Sequence, residues 1–469
     1  MAWLQCELLT GVRQDAVMTS TDAVRYDASL QPAERKAIVL GTTFRIVGTP
    51  LVALIGLVNT AMIVRQTGEA VFGVVSLITT LSLLIPFADL GIGAVVTSAC
   101  SKAGRLTDDG VALATVQRGL RMLSVVAAGL IVISLAVMAT DSWHLLIGTS
   151  TSSADRIAIT VAVCLIALGI PAGIGIRIII GLNMNPLAVL MTIANAAFTL
   201  LLTLALKSVG AAGIWYAISG AGGVLAGNCV ATIFALRVSG LGWASFARPS
   251  MEYSRRKVLH GSLWMFVLSV GLPLGLQSHR LILSHVSTPQ ELSRYALTAQ
   301  IFGVVWMVFD TAGMALWPVF VKRRSATIAS TQLWLRSVAA FGILSALAGV
   351  GIVAFAPWAT SVLSGGLVVA PRALAVAFAM MLFVECIHLP GGVMLTMPRE
   401  ARWQSFCITV MGVTAVLLGI WWGARWGATG VVAAAVVAMV VAQVIPDFVW
   451  IPRMLRAREL DTLNGSAQR

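Results

Sequence analysis

About twelve runs of predominantly apolar residues fill this chain, each near the roughly 20 residues a helix needs to cross a bilayer core. They are read at 41–64, 71–95, 120–140, 157–181, 187–207, 214–236, 260–286, 295–320, 333–359, 372–397, 404–425 and 429–451, and are called spans one to twelve below. In lipid every backbone N–H and C=O must find a partner within the protein, and an apolar run of this length does so as an α-helix. With 58% hydrophobic and 11% charged residues, nearly all the mass belongs in such helices. The fold class expected is therefore all-α, a polytopic membrane protein with about twelve transmembrane helices. No connecting segment is long enough to fold as a soluble domain; the longest is 237–259.

A formal net charge of +13 would suggest nucleic acid in a soluble chain. Its distribution gives a different answer. Basic residues concentrate in the 1–40 segment, between spans two and three, in the central loop (Arg237, Arg248, Arg255, Arg256, Lys257), around 322–336 and after span twelve. Arg65, Arg156, Lys207, Arg294, Arg372 and Arg425 fall in the alternate set of loops. That bias predicts a multi-pass protein of the cytoplasmic membrane with both termini in the cytoplasm, its basic loops favouring anionic membrane lipids. Segment 1–40 lacks the pattern of a cleaved signal peptide and reads as a disordered cytoplasmic tail, with Met18 an alternative start to Met1. The six cysteines form no close pair and have no metal-ligand spacing, so they read as small apolar fillers in helix contacts. Neither metal nor cofactor is expected.

Equal numbers of spans flank the central loop, which divides the chain into a 1–40 tail, an N-lobe over 41–236, a linker over 237–259, a C-lobe over 260–451 and a 452–469 tail. Both lobes start and end on the cytoplasmic side, as in a parallel duplication of six helices. Asp89 precedes Gly91 and Lys102 at the end of span two, and Asp310 precedes Gly313 and Lys322 at the end of span eight. Prolines and glycines inside spans admit two readings: close helix packing, or hinges beside a path that opens. Gly271-Leu272-Pro273 is expected to bend span seven, and Pro390-Gly391-Gly392 to break span ten.

Charges inside the spans carry the functional signal, because a charge at mid-bilayer costs at least about 2.5–3.5 kcal/mol and must face a partner or a wet cavity. Arg45 and Arg177 are shallow, so snorkelling to headgroups competes with a cavity role, and an Arg45–Asp89 pair is a further alternative. Asp310, Glu385 and His388 are too deep to snorkel. Glu385 and His388 stand i, i+3 on one helix face and are candidates for proton coupling, against the alternative of a buried pair that fixes helix register. Gln277, His279 and Arg280 form a polar band in span seven, where Arg280 is free to pair with Asp310 or to meet a phosphate. The candidate substrate cavity is thus lined by Arg45, Arg177, Arg280, Asp89, Asp310, Gln277 and His279, and suits an anionic diphosphate.

Three stretches carry a family resemblance: RQTGEAVFGVVSLITTLSLLIPFADLGIG, QSHRLILSHVSTPQELSRYALTAQIF and ALWPVF. The G-x-x-x-F/Y-G element with a late D-L-G is matched by Gly68, Phe72, Gly73 and Asp89-Leu90-Gly91; where Asp-Arg is frequent in span seven, this chain has His279-Arg280. The chain resembles the polysaccharide exporters, a branch of the multidrug/oligosaccharidyl-lipid/polysaccharide flippase superfamily. The resemblance implies a non-enzymatic flippase that moves polyprenyl-diphosphate-linked oligosaccharide between leaflets for cell-envelope synthesis. Glycosyltransferases or a polymerase would be its neighbours, and nucleic acid would not be a partner. A G-x-x-x-x-G-K-[ST] loop is absent, which argues against ATP hydrolysis in this chain. Three rivals stand beside this reading. A multidrug or cation antiporter of the same superfamily predicts acidic residues dominating the cavity. A membrane-embedded glycosyltransferase or polymerase would need a larger external loop than 141–156. A scaffold would need no deep charges at all.

Overall fold

The computed structural model describes residues 32–81, 92–102, 106–148, 152–242, 275, 277–322, 327–395 and 398–467. Among them every regular element is helical. Nine helices are long and apolar enough to cross a membrane among the described residues, and two of these contain a pair of spans each. Pro32–Leu81 carries span one and the start of span two, broken at Gly68 (φ 79°, ψ 172°). Pro398–Met439 carries span eleven and the start of span twelve, broken at Gly427 (φ 54°, ψ −136°). Both breaks use backbone conformations that a side chain would strain, which is why a single glycine turns the chain without a longer loop. The first helix begins at Pro32, ahead of the expected Gly41, so residues 32–40 extend span one instead of belonging to a disordered tail. At the other end the last helix, Ile445–Ala467, continues through most of the segment read as a tail.

Spans three, five, six, eight, nine and ten appear as Gly110–Ala139, Asn185–Ser208, Ala217–Ser239, Pro289–Lys322, Thr327–Ser364 and Arg372–Met394. Span four is split into Ser153–Ala172 and Ile174–Gly181 next to Pro171. The split frees carbonyls, and span six recovers them. Thr232 Oγ1 donates to the Ala172 carbonyl at 2.7 Å and accepts from the Gly175 N–H at 3.1 Å. Asn228 Nδ2 donates to the Gly169 carbonyl at 3.2 Å. Gly175 lies directly on the Thr232 backbone, the close approach that small residues permit in membrane bundles.

Span ten differs from expectation. Its helix runs unbroken through Pro390-Gly391-Gly392 to Met394. Leu395 N–H closes the end on the Gly391 carbonyl at 3.1 Å, and Gln404 Nε2 donates to the Gly392 carbonyl at 3.2 Å. The glycine serves proximity instead: a Cβ at Gly391 would stand 2.6 Å from Asp447 Oδ2. The bend expected at 271–273 lies outside the described residues, as do Pro86, Asp89 and most of the 237–259 linker.

Helices of spans one and three to six pack on one another, as do those of spans seven to eleven. The two groups meet chiefly where the helix of spans one and two lies against span eight, with span nine alongside. Large side chains such as Leu54, Val125, Leu347, Phe355 and Trp358 are exposed around the outside. An apolar exterior of this extent suits lipid and would aggregate in water. Of the cysteines, Cys100, Cys386 and Cys407 are buried and free.

Candidate functional site

A cavity of about 330 Å³ opens at the joint of the two groups, between spans one, five and eight. Asn59 and Gln300 supply most of its polar character, with Gly56 and Gly303 giving it room. Gln300 Nε2 lies 3.3 Å from where a Cβ on Gly56 would be, and nothing lies within 4 Å of a Cβ on Gly303. Asn59 Oδ1 is buried without a hydrogen-bond partner among the described residues. None of the residues lining this cavity is charged. Sequence reasoning overlooked them because it searched for intramembrane charges, and neutral carboxamides are cheaper in a bilayer. The only available signal was their spacing: Gly56 and Asn59 share a helix face, as do Gln300 and Gly303.

Toward the Gly68 end, the joint is closed by polar contacts between the groups. Arg65 donates to the carbonyls of Val362 (2.6 Å) and Leu363 (3.1 Å) in the last turn of span nine. Ser293 Oγ donates to the Glu69 carbonyl, and Arg294 Nε stands 3.7 Å from Glu69 Oε1. Glu291 ties this corner together, accepting from Arg294 Nη1 at 2.7 Å and from the Ala428 N–H at 3.0 Å. His285 Nε2 pairs with the Leu145 carbonyl at 2.9 Å.

Arg280 sits just inside this closure. Its guanidinium donates to Thr80 Oγ1 of span two and lies 5.8 Å from the Tyr295 ring centroid of span eight. Its buried Nε has no hydrogen-bond partner among the described residues. His279 is buried, and its Nδ1 shares a 2.9 Å hydrogen bond with the Tyr295 hydroxyl. Gln277 is half-buried in the turn before the helix His279–Val286. Arg280 does not reach Asp310. Tyr295 and Asp310 are fifteen residues apart on one helix, about 22 Å along its axis, so the two charges lie at different depths.

Arg177 is at the opposite end of the bundle. It belongs to Ile174–Gly181, where its carbonyl accepts from Thr97 Oγ1 at 3.3 Å. Gly148, before span four, packs against the Ser284 carbonyl and fixes which end of span four faces Arg280. From Ser153 to Arg177 the chain climbs about 36 Å, so Arg177 and Arg280 stand at well-separated depths, too far apart to grip one diphosphate. Arg45 is in the first helix, but its side chain lies outside the described residues, and Asp89 is outside them altogether.

Glu385 and His388 are on span ten as expected, but they do not pair. His388 Nδ1 donates to Asp447 Oδ2 of span twelve at 2.7 Å. Glu385 is buried, and its Oε2 has no hydrogen-bond partner among the described residues. Asp310 is on the neighbouring span-eight helix. Leu389 fills the space over Gly313, which sets the two helices in the register that brings the carboxylates level. Asp447 was missed because its partner is 59 residues away in sequence. The π-helical turn Val440–Val444 immediately before it aims this stretch of span twelve at span ten, and such turns recur at functional positions. Among the described residues no group of His, Cys, Asp or Glu is placed to hold a metal ion.

Solved structures share this architecture. An inward-facing multidrug resistance MATE family transporter of the MOP superfamily aligns with a TM-score of 0.72 and 14% identity, over 90% of this chain and 99% of that one. Lipid II flippase MurJ, in an inward closed conformation, aligns at 0.60 and 13% identity over 89% and 92%. A MOP superfamily transporter from Pyrococcus furiosus aligns at 0.60 and 13% identity over 91% and 96%. No curated protein matches the sequence. The fold is the polytopic helical fold that these transporters share. A family model described as polysaccharide biosynthesis protein matches residues 38–323, and the chain belongs to that family.

Proposed function

We propose that this protein is a flippase that carries polyprenyl-diphosphate-linked oligosaccharide across the cytoplasmic membrane for envelope polysaccharide synthesis. One observation carries the reading: Arg280 stands at the joint of the two helix groups with an unpartnered Nε. A buried guanidinium N–H without an acceptor is costly, and a phosphate oxygen would satisfy it with a charge-assisted bond. Membership of the polysaccharide biosynthesis family agrees with such a substrate, and one structural neighbour is a lipid II flippase.

In this mechanism the headgroup crosses between the groups while the prenyl tail stays in lipid. The distribution of basic residues puts the Gly68 end outside the cell. The contacts of Arg65, Glu69, Ser293 and Arg294 then form the outer closure, which must part to release the headgroup. Glu385, Asp310 and the His388–Asp447 pair belong to a separate polar cluster in the second group, and we assign proton coupling to it. Arg177 at the inner end offers a second cationic station instead of completing a cage with Arg280.

The test is reconstitution of the full chain with a fluorescent prenyl-diphosphate saccharide and a membrane-impermeant quencher. Arg280→Ala removes a charge-assisted contact of about 1.5–3 kcal/mol, so apparent affinity should fall tenfold or more. Arg280→Lys keeps the charge without the fork and should recover only part. Parental flipping by both variants, or export of an organic cation with no flipping of the saccharide lipid, would overturn the proposal.

A further inference from the structure

The uncharged cavity between spans one, five and eight is chemically unlike the site around Arg280. It holds about 330 Å³, at the lower end of the roughly 300–1,000 Å³ of small-molecule sites. No charged residue lines it, so a bare cation or a diphosphate placed there would lose hydration with no opposite charge to offset the loss. What the cavity offers is carboxamide. Asn59 and Gln300 come from opposite sides of the joint, one on span one and one on span eight. Asn59 Oδ1 is buried and unpartnered, and an oxygen left so is an acceptor waiting for a donor. Gln300 lies against Gly56, whose missing Cβ lets the amide approach the span-one backbone. Gly56 and Asn59 are i, i+3 neighbours, so the two amides converge on one patch.

A carboxamide both donates and accepts, and so does a hydroxyl. Apart from Thr199, whose hydroxyl donates to the Asn195 carbonyl, the remaining lining is small and aliphatic, Ala53, Ala196, Val304 and Met307 among it, which suits the C–H faces of a sugar ring. We infer that this cavity is a saccharide subsite: Asn59 and Gln300 hydrogen-bond hydroxyls of the first sugars of the headgroup. The diphosphate remains outside it. Along span eight Tyr295, which carries Arg280 on its ring, is five residues from Gln300, about 7 Å along the helix axis. A sugar in the cavity and a phosphate at Arg280 are thus neighbours along the path.

The inference rests on the flippase reading above, and its test separates the two. Purified full-length protein in detergent is titrated with two probes, a short-chain prenyl diphosphate and the same lipid bearing a disaccharide. The parent should bind the disaccharide probe more tightly than the bare lipid. Asn59→Leu and Gln300→Met, close in volume, should each weaken the disaccharide probe at least tenfold and leave the bare lipid unchanged. Gly303→Leu fills the cavity from the turn next to Gln300, at a position where nothing among the described residues lies within 4 Å of a Cβ. It should also block the disaccharide probe selectively. If all three variants bind both probes as the parent does, the subsite is refuted and the flippase reading stands. If they weaken both probes equally, the cavity holds the lipid or its diphosphate and not the sugar. If the parent binds neither probe, the flippase reading falls and takes this inference with it.

Discussion

Arg65→Ala should open the outer closure. Arg65 follows span one and reaches across the joint to the Val362 and Leu363 carbonyls at 2.6 and 3.1 Å. Bonds of this kind are worth about 1.5–3 kcal/mol each when buried. The side chain is exposed, and screening reduces such a contact to about 1 kcal/mol in all. The acceptors lie in the last turn of a helix, where the dipole favours a cation by about 0.3–1 kcal/mol more. The sum is near 1.5 kcal/mol, roughly a tenfold shift from closed toward open. A cysteine at Gly303, in a background freed of native cysteines, reports the change as its labelling by an impermeant thiol reagent added to intact cells. Labelling should rise about tenfold in Arg65→Ala, limited by saturation. Arg65→Lys retains the charge but reaches one carbonyl at a time, and should fall between the two. Labelling identical to the parent in both variants would show that these bonds form without holding the closure.

Three further outcomes are expected. A cysteine at Ser254 should resist the impermeant reagent in intact cells and one at Val209, which is 77% exposed, should react; the reverse pattern would invert the topology. Glu385→Gln should abolish the pH dependence of transport while leaving surface expression intact, and loss of folded protein instead would assign the carboxylate to helix packing. Thr232→Val keeps the shape of span six but strands the Ala172 carbonyl and the Gly175 N–H, each costing about 1–3 kcal/mol. Its melting temperature in detergent should fall by several degrees, and an unchanged value would show that the span-four break needs no partner.

Length and apolarity were enough to read this protein as a helical membrane bundle, because a bilayer leaves the backbone few alternatives. The turn between spans one and two was marked in sequence only by the gap at 65–70; the structure puts it at Gly68, whose conformation only glycine tolerates. Helix breaks were less legible. Pro171 splits span four and Pro390 leaves span ten intact, a difference that depends on what each neighbouring helix offers the freed backbone. The same holds for the charged residues. Sequence shows that Arg280, Glu385 and His388 must find partners, since burial without one is expensive. It does not show that His388 takes Asp447, that Glu385 stays apart from His388, or that Arg177 and Arg280 stand at opposite ends. Those pairings join residues distant in sequence, and only tertiary packing brings them together. The Asn59–Gln300 cavity is the extreme case, since neutral amides raise no alarm in a hydrophobic span until the structure sets them face to face across an empty space.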